Sequence, residues 1–161
     1  GLCCKTIFEE DSVAAIPKGW DLSKHRIHSL SELKDQPFIT YSREARRKSF
    51  EAFNAVCRLS GFVPNIVQEA ESDIAVLGLV ASGLGIALVP DGYRNIFSNA
   101  VSYHVLKKPR VTLKICLIWK EGNLSETARS LVETANNCHF DLLYSKSANE
   151  KDNSFEVPFK K

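Results

Sequence analysis

Between Ser60 and Pro90 the chain reads SGFVPNIVQEAESDIAVLGLVASGLGIALVP, and this stretch narrows the possible folds more than any other. It reads as a strand, an apolar helix and a second strand, IALV, which Pro90 ends. Ile74, Leu77, Val80 and Ala81 have the three-and-four spacing of a helix seam lying on a sheet. Units of this kind build parallel sheets covered by helices, so an all-parallel core is expected. Gly83-Leu84-Gly85 does not make a dinucleotide loop. Leu88 stands where a third glycine is needed, and the turn enters a strand instead of opening a helix. Its glycines serve a tight helix-to-strand reversal.

The stretches PFITYSREARRKSFEAFNAVCRLSGFVPNIVQEA and GLVASGLGIALVP resemble the effector-sensing domain of LysR-type transcriptional regulators, and the likeness extends over residues 2 to 140. The resemblance implies an α/β, type II periplasmic-binding-protein-like fold. Two lobes are joined by crossover strands, with the ligand in the cleft between them. On that template residues 1–28 are part of lobe I and the first crossover, 29–103 are lobe II, and 104–140 return to lobe I. Residues 141–161 are a polar tail expected to be disordered. On that template the fold is expected to be truncated at its N-terminal part, because the family's winged helix-turn-helix, linker helix and early lobe I find no counterpart in these residues. With no Met and Gly at position 1, the chain is expected to be a segment of a longer protein.

Composition sets outer limits on function. A hydrophobic content of 44% and a charged content of 25% are those of an ordinary globular body. A net charge of +2 implies no strongly basic face, which argues against nucleic acid as a direct partner of this segment. No apolar run approaches a membrane span, and acidic Glu9, Glu10 and Asp11 follow too short an apolar stretch for a secretion signal. A cytoplasmic location is therefore expected. The five cysteines, Cys3, Cys4, Cys57, Cys116 and Cys138, lack zinc-site spacing and are expected to be reduced and structural.

The remaining pattern fills in the other elements. SLSELKD reads as a short helix capped by Ser29 or Ser31, PFITY as a strand, and Ser49 to Leu59 as a helix with Phe50, Phe53, Val56 and Cys57 on one face, ended by Gly61. DGYRNIFS reads as a short helix and AVSYHVL as a strand. In TLKICLIW, Leu113, Ile115, Leu117 and Trp119 alternate with Lys114, Cys116 and Ile118, as a strand with one more apolar face would. LSETARSLVETANN reads as a capped helix with Leu131, Val132 and Ala135 inward.

Chemistry concentrates in REARRKSF. Arg43, Arg46, Arg47 and Lys48 stand at the positive end of a helix dipole, an unfavourable place for cations. Unpaired backbone N–H groups, the dipole and these cations together favour a carboxylate or phosphate, to which Ser49 adds a hydroxyl. The family resemblance places the matching loop and first helical turn in the cleft, which assigns ligand binding to Ser42, Lys48, Ser49 and Phe50, and more weakly to Arg47. Each has a plainer reading: solvated cations, serines acting as caps, and Phe50 packing in the core. Glu71, Ser72 and Asp73 approach from the next turn, where helix capping is the stronger reading and two carboxylates would repel an acidic ligand.

No nucleophile elbow, H-E-x-x-H, phosphate-binding glycine loop or spaced carboxylate pair is present, and His25, His28, His104 and His139 are scattered. No enzymatic activity, cofactor or metal is expected. The leading reading is the effector-sensing domain of a LysR-type regulator that binds a small anionic, carboxylate-bearing metabolite. Its expected partners are further copies of itself, and DNA through a domain outside this chain. A transporter's solute-binding protein on the same architecture is the second reading, and an enzyme with a catalytic pair in the cleft the third.

Overall fold

The computed structural model describes residues 1–122, 124–137 and 154–156. In chain order these form β1 (Leu2–Pro17), β2 (Pro37–Tyr41), α1 (Arg47–Leu59), β3 (Asn65–Ala70), α2 (Asp73–Ala81), β4 (Ala87–Pro90), β5 (Val101–Val105), β6 (Arg110–Lys120), α3 (Glu126–Asn137) and β7 (Ser154–Glu156). The chain divides into two compact units, Gly1–Glu10 with Leu113–Asp152 and Asp11–Thr112 with Asn153–Lys161. Apart from β7, which pairs in parallel with the start of β6, the expected tail lies outside the described residues.

In the second unit the sheet is built outward from β2. β3 pairs with it in parallel, from Pro37 opposite Asn65 to Tyr41 opposite Ala70. On the other side, the Ile39 N–H donates to the Ile86 carbonyl (2.8 Å) and the Ile86 N–H to the Pro37 carbonyl (2.9 Å), a parallel bridge at the start of β4. β1 then pairs antiparallel with both β4 and β5. The expected all-parallel core therefore holds for β3, β2 and β4 and fails at β1. The crossover rule governs strands joined through a helix. β1 reaches β2 through residues 18–36, which carry two 3₁₀ turns and no α-helix.

Period-two alternation sends successive side chains to opposite faces of this sheet. Ala14, Ile16, Phe38 and Ile86 pack with Phe53, Val56 and Cys57 of α1. Val13, Ala15, Ile39, Ala87 and Val89 pack with Val76, Leu77 and Val80 of α2. The two helices thus cover opposite faces. Cys57 is fully buried in this core, and burial pushes its thiol up to about 12.

The expected seam of α2 is corrected in its phase. Ile74 is 48% exposed, and Val76 takes its place beside Leu77 and Val80, with Ala81 half-buried at the margin. Ser72 accepts the Ala75 N–H (3.2 Å), which starts the helix at Asp73, and Val76, Leu77 and Val80 share its buried face. Ser72→Ala is expected to cost about 1 kcal/mol, read as a lower urea midpoint at unchanged slope. At the other end Gly83 has φ +84, the left-handed conformation that closes a helix when the next two N–H groups turn back, here Gly83 to Val80 O (2.9 Å) and Leu84 to Leu79 O (3.3 Å).

Two expected helices are single 3₁₀ turns. SLSELKD narrows to Leu30–Leu33, where Ser29 and Glu32 form a reciprocal capping box and both leucines are buried, while Pro37 already begins β2. DGYRNIFS narrows to Asp91–Tyr93.

In the first unit, β1 and β6 are sheet neighbours, with Glu9 near Lys114 (3.5 Å) and Thr6 near Cys116 (3.5 Å). The alternation expected in TLKICLIW does not produce a buried face: Leu113 and Ile115 are exposed, and Lys114 is half-buried. Leu131 of α3, expected inward, is exposed as well. No described residue of this unit is buried, since a strand pair and one helix supply too few layers to enclose a side chain.

Candidate functional site

Strand order and handedness define where this fold can hold a ligand. The chain leaves β2 through α1 on one face, and leaves β3 through α2 on the other. The two loops part at the neighbouring C-terminal ends of β2 and β3, where Tyr41 faces Ala70. Loops that part in this way lie outside the carboxyl ends of the strands, the place where open α/β sheets receive ligands.

Ser42 begins the loop on the β2 side. Its N–H donates to the Ala70 carbonyl (2.8 Å), its hydroxyl accepts the Ala45 N–H (3.3 Å), and its carbonyl accepts the Arg46 N–H (2.8 Å). Ser42 therefore shapes the turn. Arg43 donates its N–H to Glu69 Oε2 (2.9 Å), and its guanidinium stands 5.7 Å from the centre of the Phe50 ring. Arg46 occupies the N-cap of α1 but makes no side-chain capping bond, and the first turn holds no acidic residue. Its backbone donors keep the anion-receptive character of an uncapped helix start.

The other expected site residues follow on α1. Arg47 donates to Glu51 Oε1 (2.8 Å), one turn on, and is thereby neutralised along the helix surface. Lys48 is exposed. Ser49 is half-buried, and its hydroxyl has no hydrogen-bond partner among the described residues. Phe50 is half-buried and stands outside the core cluster that takes Phe53, Val56 and Cys57. Lys48, Ser49 and Phe50 thus occupy the first turn of α1, Ser42 holds the loop before it, and Arg47 is diverted to Glu51.

A second group joins the two loops. The Tyr41 hydroxyl donates to Asp73 Oδ1 (2.5 Å), and Arg46 Nη1 donates to Asp73 Oδ2 (2.9 Å). The Arg46 guanidinium carbon lies 4.1 Å from the centre of the Tyr41 ring. Burial, reinforced by the Asp73 carboxylate, pushes the Tyr41 hydroxyl far above its ordinary range and keeps it a donor. Asp73, a candidate cap from sequence, instead pairs with Tyr41 and Arg46, and Ser72 alone is the cap. Tyr41 was missed. Its signal was a polar-tipped aromatic ending an apolar strand, a group that needs a partner when buried.

Charge at the site is close to balanced, because Arg46 faces Asp73 and Arg47 faces Glu51. Among the described residues no cluster of three or more His, Cys, Asp or Glu is placed to hold a metal, and no helix is long and apolar enough to cross a membrane.

A two-faced α/β lobe with loops that part at the carboxyl ends of its strands and an uncapped helix start is the design of a small-ligand-binding module. A family model for the LysR substrate binding domain matches residues 1–137, and the chain belongs to that family of transcriptional regulators. The HTH-type transcriptional regulator AlsR of Bacillus subtilis (strain 168) is 29% identical over 124 residues, 77% of this chain and 41% of that protein. TtuA of Agrobacterium vitis is 32% identical over 89 residues, 55% and 29% of the two chains. The chain spans less than half the length of these relatives. Among solved structures, the BenM effector binding domain with its effector benzoate superposes with a TM-score of 0.74 at 22% identity, covering 94% of this chain and 69% of that one. The effector binding domain of QuiR in complex with shikimate gives 0.71 at 18%, covering 83% and 63%. The fold is the type II periplasmic-binding-protein-like α/β fold of these domains.

Proposed function

We propose that this chain is the effector-sensing part of a LysR-type regulator, and that it takes a small carboxylate-bearing metabolite at the entrance of α1. The observation that carries this reading is the uncapped start of α1 beside the end of β3, with a Ser49 hydroxyl in its first turn that has no hydrogen-bond partner among the described residues. An anion is favoured there by backbone donors and the helix dipole, without an excess of side-chain cations. Lys48 adds charge, Ser42 holds the turn, and Phe50 offers half-exposed apolar surface. Benzoate and shikimate, named with the BenM and QuiR domains, both carry a carboxylate.

The ligand acts through differential affinity. It shifts an equilibrium between arrangements of the parent only as far as it binds one of them more tightly. The parent reads that shift at DNA through a winged helix-turn-helix outside this chain, and assembles as a homo-oligomer. A solute-binding role in transport has less support, because the matching family and relatives are transcriptional regulators.

A thermal-shift screen of small carboxylates against their uncharged amides tests the reading. A saturating ligand at about 100 times its Kd adds about 2.7 kcal/mol of stability, and carboxylates are expected to stabilise where the amides do not. Ser49→Ala is expected to weaken such a ligand by about ten- to a hundredfold, the loss of one charge-assisted hydrogen bond. Equal stabilisation by acids and amides rejects the carboxylate. Unchanged affinity in Ser49→Ala rejects this turn as the site.

A further inference from the structure

We infer that Arg46 reads the negative charge of the ligand, and that Asp73 is a built-in competitor for the same guanidinium that sets how tightly a carboxylate is held. This rests on the site reading given above and adds two residues to it. Arg46 Nη1 is engaged by Asp73 at 2.9 Å, and one face of the guanidinium lies on the Tyr41 ring with 4.1 Å from carbon to ring centre. An arginine has five N–H donors in a fixed fork, so donors remain after this single bond. Its side chain is 36% exposed while that of Asp73 is 14% exposed, so the guanidinium is the member of the pair that a ligand at these loops reaches.

The carboxylate of Asp73 is tethered from behind. Its other oxygen accepts the Tyr41 hydroxyl at 2.5 Å, and its backbone opens α2, so it stays in place when a ligand arrives. Ring and carboxylate together fix the plane of the guanidinium before binding, which lowers the ordering cost of capture. The same carboxylate cancels much of the cation's charge and repels an incoming anion. A neutral ligand meets neither the attraction nor the repulsion. Charge selectivity therefore depends on the Arg46–Asp73 pair, and affinity on its balance.

The test follows the backbone amides of Arg47, Lys48 and Ser49 by NMR in the 161-residue chain during titration with sodium benzoate or with benzamide. In wild type, benzoate is expected to move these amides saturably and benzamide to leave them in place. Arg46→Gln is expected to weaken benzoate by about ten- to a hundredfold, the loss of a charge-assisted bond, and Arg46→Lys by less, because charge returns without the planar fork. Asp73→Asn is expected to tighten benzoate by up to about fivefold, the size of a partly exposed charge interaction. Amide spectra and melting curves confirm that each variant is folded, and Arg46→Lys and Asp73→Asn provide readings if Arg46→Gln is not. Wild-type affinity in Arg46→Gln overturns the role of Arg46 and leaves the α1 site standing. Weaker benzoate binding in folded Asp73→Asn overturns the competitor. Wild-type amides that ignore benzoate overturn both the site and this inference.

Discussion

Phe38→Ala is expected to lower the stability of the chain by about 3–5 kcal/mol, the range for a large aromatic removed from a closed core. Phe38 is fully buried near the start of β2, with its ring centre 5.4 Å from that of Phe53 of α1 and 6.0 Å from that of Phe62 before β3. Its removal takes away transfer free energy and two aromatic contacts, and leaves a cavity between a helix and a sheet. A domain holds about 5–15 kcal/mol in total, so a loss of this size removes about a fifth or more of the reserve. The consequence reaches the site, because α1 rests on Phe38 through Phe53 and its first turn is the proposed ligand contact. Urea unfolding by circular dichroism gives the magnitude. Hydrogen exchange in α1 is expected to accelerate with it, and a loss below about 1 kcal/mol, the scale of an ordinary surface change, would contradict the packing of α1 on this face.

Local periodicity was enough to reveal the strand-helix-strand unit and the burial of Phe53, Val56 and Cys57, and it narrowed the cap of α2 to Ser72 or Asp73, because each depends on residues within one or two turns of one another. The phase of α2 was not legible from its apolar residues, since Ile74 and Val76 are both apolar and either makes a helical seam with Leu77 and Val80, yet Val76 is buried and Ile74 is not. Nor was the direction of β1, whose partners Ala87–Pro90 and Val101–Val105 lie far along the chain. At the site, Lys48, Ser49 and Phe50 share the first turn of α1 because they are consecutive, and Ser42 stands in the loop before it. Arg47 had a local alternative in Glu51 at the four-residue spacing that helices favour. The contact between Tyr41, Arg46 and Asp73 joins residues about thirty positions apart, a separation set by one βαβ unit. Composition carried no trace of it, and only the return of the chain through β3 brings Asp73 beside β2.

That return also leaves no room for a side chain at Gly85, and Gly85→Ala is expected to cost about 2–4 kcal/mol, overpacking together with a weakened hydrogen bond. A Cβ at this residue would lie 2.7 Å from the Pro37 carbonyl oxygen and 3.3 Å from Ile39 Cγ1. The oxygen has little freedom to withdraw. It accepts the Ile86 N–H at 2.9 Å, and Pro37 is held on its other side in register with Asn65 of β3. Relief therefore requires β4 to move away from β2, which breaks the parallel bridge at Phe38 and Ile86 and shifts α2 with the strand it feeds. Gly78, in the middle of α2, has nothing within 4 Å of its missing Cβ and provides the control. Gly78→Ala is expected to be neutral or to stabilise by up to about 1 kcal/mol, because alanine is the better helix former. Paired urea titrations of the two variants separate steric conflict from backbone freedom. Similar stability changes in both would mean that β2 and β4 are not locked together. With them locked, Asp73 is delivered to Tyr41 and Arg46 by a strand order that Gly85 alone leaves room for.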